Sequence, residues 1–78
     1  MPKLPRIFGK DTVRALQRAG FKIFDQTGSH IYLHKFDGVR FGPRVTVVVH
    51  GNKILAPKTL KSILKATELS IEEFIELL

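Results

Sequence analysis

The chain has no cysteine and no tryptophan, and only one methionine and one tyrosine. Without cysteine, neither a disulfide framework nor a thiolate zinc site can staple the fold, and no thiol nucleophile is available. The same absence suits a reducing cytoplasm. Long apolar runs are missing too: none approaches the roughly 20 residues that cross a bilayer. The opening MPKLPRIFGKD lacks the apolar block of a secretion signal. A cytoplasmic protein with no membrane partner is therefore expected. Acidic residues are scarce, seven against thirteen Lys and Arg. Four of the seven, Glu68, Glu72, Glu73 and Glu76, fall in the last eleven residues. Residues 1–67 thus set thirteen cations against three acids, a balance of +10, while the C-terminal segment carries −4. A basic body of this kind suits a polyanion, and a pI near 10.1 favours nucleic acid over a merely solvated surface.

What is present fits one small domain over residues 1–78, with 44% hydrophobic residues to build its core. Pro2 and Pro5 keep the first residues extended. Gly9 reads as an N-cap and Asp11 as a first-turn acid, so a helix is predicted over Lys10–Ala19, with Val13, Leu16 and Ala19 inward and Gly20 as its stop. FKIFDQ reads as a short strand with Phe21 and Ile23 on one side, followed by a turn at Gln26-Thr27-Gly28. SHIYLHKF alternates, Ile31 and Leu33 on one face and His30, Tyr32 and His34 on the other. DGVRFGP is a hairpin connection with a bulge near Phe41–Gly42. RVTVVVHG, nearly continuous in apolar character, suits a strand in the middle of the sheet or one covered by helices.

Pro57 then opens a helix with Leu60, Ile63 and Leu64 on its apolar side and Lys58, Lys61 and Lys65 opposite. Ser70 and Glu73 form a capping box for a last short helix, whose Ile71, Phe74, Ile75 and Leu78 are expected to face inward. The fold class is α+β: a small three-stranded antiparallel sheet with helices on one face, α-β-β-β-α plus a short C-terminal helix. Double-stranded-RNA-binding domains share this order, an analogy that by itself supports RNA binding and nothing sharper.

Most catalytic templates are excluded. No glycine-rich phosphate loop of P-loop or dinucleotide spacing is present, and no elbow serine. Ser29 and His30 are neighbours in an extended segment, so their side chains diverge and cannot form a dyad. A metal shared by His30 and His34 fails on distance, because i and i+4 along a strand lie roughly 13 Å apart whereas ligand nitrogens sit near ~2 Å from a zinc ion. No metal and no cofactor are expected. A metal-free ribonuclease asks less of the protein, since RNA brings its own nucleophile in the 2′-hydroxyl. One positioned histidine, with an ordinary pKa of about 6.5, can move the proton near neutrality. A lone exposed histidine in a strand is more often incidental. Composition and spacing alone therefore reach RNA binding and stop short of catalysis.

Taken together, the pieces resemble a known family almost end to end. They are Leu4-Pro5-Arg6, Gly9-Lys10, Ala19-Gly20-Phe21, Gly28-Ser29-His30, Asp37-Gly38, Val49-His50-Gly51-Asn52, Leu55 to Leu60, Ser62-Ile63-Leu64 and the closing Ser70–Leu78. In this order and spacing the chain resembles the HicA (YcfA-like) toxins. The resemblance implies an mRNA interferase, the toxin of a type II toxin–antitoxin pair, with mRNA as substrate and no DNA partner of its own. It also implies a HicB-type antitoxin that masks the site. The family's catalytic histidine falls on His30, with Gly28 and Ser29 as the small residues that let RNA approach. Arg6, Lys10, Lys35, Arg40, Arg44 and Lys53 are the candidate phosphate contacts. Two departures stand out. The family's usual His-Pro-Asp-Gly turn is KFDG here, and the following VRFGPR is longer than common. A non-catalytic RNA-binding module is the alternative on the same surface.

Overall fold

Helix α1, Gly9–Arg18, forms where the sequence places Thr12, Val13, Ala15 and Leu16 on one buried stripe, with Lys10, Arg14, Gln17 and Arg18 exposed. The computed structural model describes residues 4–51 and 53–78, so the extended start expected at Pro2 and the Asn52 end of the 49–52 motif lie outside the described residues. The N-cap is Phe8, not Gly9 as expected, and it offers no side-chain cap. Gly9 is needed for closeness instead: a Cβ there would lie 2.7 Å from the Val48 carbonyl oxygen. Gly20, at φ 101°, ends the helix turn as expected.

Three antiparallel strands follow in the order β1 (Phe21–Thr27), β2 (His30–Phe36) and β3 (Phe41–Val48). Gln26 and Thr27 belong to β1, so the first connection is Gly28-Ser29 and not the expected 26–28 turn. β2 lies in the middle and β3 at an edge. Of the two placements open to RVTVVVHG, cover by helices holds: Val45 and Val47 are buried in the core between sheet and helices.

The register carries two irregularities. One extra residue on β1, Phe24, sits between the pairs Ile23–Leu33 and Asp25–Tyr32. One on β3 lies between Phe36–Phe41 and His34–Arg44, at Gly42–Pro43, close to the expected bulge. Ile23, expected inward with Phe21, is 43% exposed, because β1 is an edge strand that runs out past the helices after its first residue.

Helix α2, Pro57–Thr67, begins on its proline and buries Leu60, Ile63 and Leu64. Glu68 in the left-handed region (φ 59°) turns the chain into α3, Ile71–Leu77, whose Ser70–Glu73 capping box is formed on both sides. Within α3 the inward stripe is Ile71, Phe74 and Leu77. Ile75 and Leu78, expected inward, are exposed, since one short helix against α1 covers only a single ridge. Arg18 Nη1 donates to the Leu77 carbonyl at 2.7 Å and ties that end of α3 to α1.

The core has two joined parts. Val13, Leu16, Phe21, Leu33, Val45, Val47 and Ile63 fill the layer between sheet and helices. Ala15, Leu60, Leu64 and Phe74 fill the space among the three helices. All helices lie on one face, which leaves the other face of the sheet open. No helix among the described residues is long and apolar enough to cross a membrane.

Candidate active site

His30 is the first residue of β2, paired to Thr27 on one side and Val48 on the other. Its position follows from local chemistry. Gly28 takes φ 58°, a conformation favouring glycine, and reverses the chain in two residues. Ser29 is then locked in place by its carbonyl, which accepts from the Val49 N–H at 2.8 Å. The ring of His30 is exposed on the open face, its centroid 6.5 Å from Tyr32 and nearly parallel to it at 20°. A Cβ on Gly28 would meet nothing within 4 Å, so the turn beside His30 is open on its outer side.

The candidate phosphate-binding cations divide by place. Lys10 stands in the first turn of α1, which abuts Val48, the strand partner of His30; its Nζ lies 5.8 Å from the Phe8 ring centroid. Lys53 follows β3 at the same end of the sheet, its N–H donating to the His50 carbonyl at 2.8 Å. Arg6 is exposed on the extended segment that runs beside Ile54–Pro57. Arg44 is mid-sheet on the open face, opposite His34.

The remaining two lie elsewhere. Arg40 belongs to the β2–β3 turn at the far end. Lys35 lies on the helix side, beside Ala19, Leu69, Glu73 and Glu76. The structure therefore gathers Gly28, Ser29, Lys10 and Lys53 at the His30 end of the sheet, and leaves Lys35 and Arg40 apart from it. No three metal-ligating side chains converge among the described residues.

Sequence reasoning missed the rings around His34. The bulge residue Phe24 stacks on His34 at 4.6 Å and lies 6.2 Å from Tyr32. On its other side His34 meets Phe41 at 4.4 Å, and Phe41 stacks on Phe36 at 4.8 Å. Arg44 approaches the Phe24 ring to 5.9 Å, and Lys22 the Phe36 ring to 5.7 Å. Alternation around Tyr32 already signalled a ring-bearing face, and alternation from Phe21 sends Phe24 to the side away from Phe21; the register that brings Phe24 onto His34 has no such signature.

The arrangement offers the exposed His30 imidazole at the end of an open, cation-edged sheet face, with the exposed His50 just past the paired end of β3. Residues 9–69, which include α1, all three strands and α2, match the model of the HicA toxin of bacterial toxin–antitoxin systems. The chain belongs to the HicA toxin family. The matched segment contains the Gly28-Ser29-His30 turn and every cation named above except Arg6. Membership in the HicA family makes this a toxin-type chain whose expected counterpart is a cognate antitoxin. No match to the chain is found among curated proteins.

Proposed function

We propose that the protein is a metal-independent endoribonuclease, an mRNA interferase, in which His30 moves the proton. The observation that carries this reading is HicA membership spanning the turn that presents His30, joined to the exposure of that ring on an open basic face. In the reaction the 2′-oxygen of RNA bonds to the adjacent phosphorus and the bond to the 5′-oxygen breaks. The 2′-hydroxyl gives up its proton and the 5′-oxygen gains one, leaving a 2′,3′-cyclic phosphate. His30, as base or acid, serves one of these transfers, and water serves the other. A positioned acid–base group contributes about 10²–10⁴-fold. Cations on the phosphate stabilise the charge that builds on its oxygens; Lys10 and Lys53 stand at the His30 end of the sheet for that role. A HicB-type antitoxin would silence the enzyme by covering His30.

The purified protein should cut RNA in excess EDTA and leave cyclic-phosphate ends. His30→Ala should lower the rate by ~10² or more while RNA binding persists. Undiminished cutting by that variant removes His30 from the mechanism. Binding without any cutting by the wild type leaves the RNA-binding module as the function.

A further inference from the structure

The open face holds more than His30. From its ring the aromatic side chains continue across the sheet: Tyr32 at 6.5 Å, Phe24 at 6.2 Å from Tyr32, His34 at 4.6 Å from Phe24, and Phe41 at 4.4 Å from His34. Phe24 and Phe41, on either side of His34, are 47% and 65% exposed. A soluble surface rarely displays rings in such a row unless something covers them. Strand pairing puts Lys22 and Arg44 on this same face, both opposite His34, with Asp25 as the acid opposite Tyr32. Arg44 also lies over Phe24, in the middle of the row, at 5.9 Å.

We propose that this row is a stacking platform for unpaired nucleobases, binding the single-stranded part of an RNA whose backbone passes His30. The inference rests on the ribonuclease reading and names the form of substrate that the site accepts. Flat exposed rings interleaved with cations are what a single strand requires: every base has a π-face, and the phosphates need counter-charge. An A-form duplex turns its bases inward and offers such rings nothing to stack on. The glutamates of the C-terminal segment lie in the helix layer behind the sheet, away from the row, and Lys22 and Arg44 supply counter-charge beside the rings. His34, half-buried, is held between Phe24 and Phe41, the exposed rings on which the bases would stack.

The test uses His30→Ala protein, so that RNA survives, and fluorescence anisotropy with three labelled probes of equal length. These are a single-stranded RNA, its perfect duplex, and an abasic ribose-phosphate strand. The single strand should bind about 10-fold or more tighter than either control, and Phe24→Ala with Phe41→Ala should bring its affinity down to the abasic level. Both rings are exposed, so the doubly substituted protein should keep its circular dichroism and melting temperature; the three-probe comparison on unaltered rings stands even if it does not. Equal affinity for duplex and single strand overturns the platform. So does single-strand binding that survives loss of both rings, including the case where only a protein partner is lost. A wild type that binds single strands through the rings yet never cuts RNA overturns the nuclease reading alone.

Discussion

Asp37 holds the β2–β3 turn through one oxygen. Its Oδ1 accepts from the Val39 N–H at 2.8 Å and the Arg40 N–H at 2.7 Å. These bonds, Arg40 first and Val39 second, favour the ionised form and hold the carboxyl below its ordinary range. The sign follows from linkage: a depressed carboxyl pKa supports the turn at neutral pH, and the support is lost as pH falls through the folded-state value. In a pH titration followed by NMR, the Val39 and Arg40 amide protons should move together with a midpoint below the usual ~3.9. A midpoint at or above that value would show that the carboxylate does not hold the turn. The same residue accounts for the Asp-Gly of KFDG: the aspartate fixes the turn. His30 is the opposite kind of residue, with an exposed ring in a position fixed by backbone contacts of Ser29 and strand pairing to Val48. Substituting it should cost function and little stability.

At the scale of elements, α1 and β3 meet at Gly9. A methyl there would press on backbone, 2.7 Å from the Val48 oxygen and 3.1 Å from the Val49 Cα. Gly9→Ala should therefore push the helix off the strand that pairs with His30, with a loss of about 1–3 kcal/mol in urea unfolding. Unchanged stability would mean that the contact relaxes without strain. The two longer helices were legible in the sequence because 3.6-residue periodicity survives tertiary packing: Leu16, Leu60, Ile63 and Leu64 lie where the stripes put them. The last helix was half legible. Its capping box is local chemistry, but which of Ile75 and Leu77 packs depends on where α1 lies. β1 was the hardest element. Counting alternately from Phe21 turns Asp25 inward, whereas the bulge at Phe24 puts Asp25 opposite Tyr32. The same count already sends Phe24 away from Phe21; the cross-strand register that lays it against His34 is what the sequence does not mark. The role proposed for His30 comes only from the family resemblance, since periodicity gives its face and no role.

Across the whole molecule, four of the seven acids are gathered in the C-terminal segment while the cations are spread over both faces. The helix side carries Glu68, Glu72, Glu73 and Glu76 together with Lys10, Arg14, Arg18, Lys58, Lys61 and Lys65, all exposed, while the sheet's open face presents Arg44 and Lys22 with Asp25. If phosphates bind there, Arg44→Ala should reduce the salt slope of single-stranded RNA binding by about 0.7, the contribution of one released counterion. Lys35→Ala, on the helix side, should leave the slope unchanged. Equal effects from both substitutions would mean that RNA does not choose the sheet face. The platform and the catalytic reading both need RNA on this face, but only cleavage tests the role given to His30. The most direct measurement is the cleavage rate of an RNA in excess EDTA by wild-type and His30→Ala protein, with their RNA affinities measured in parallel. The expected result is cyclic-phosphate ends from the wild type and a rate lower by ~10² or more in the variant at unchanged affinity. Equal rates from the two proteins would contradict it.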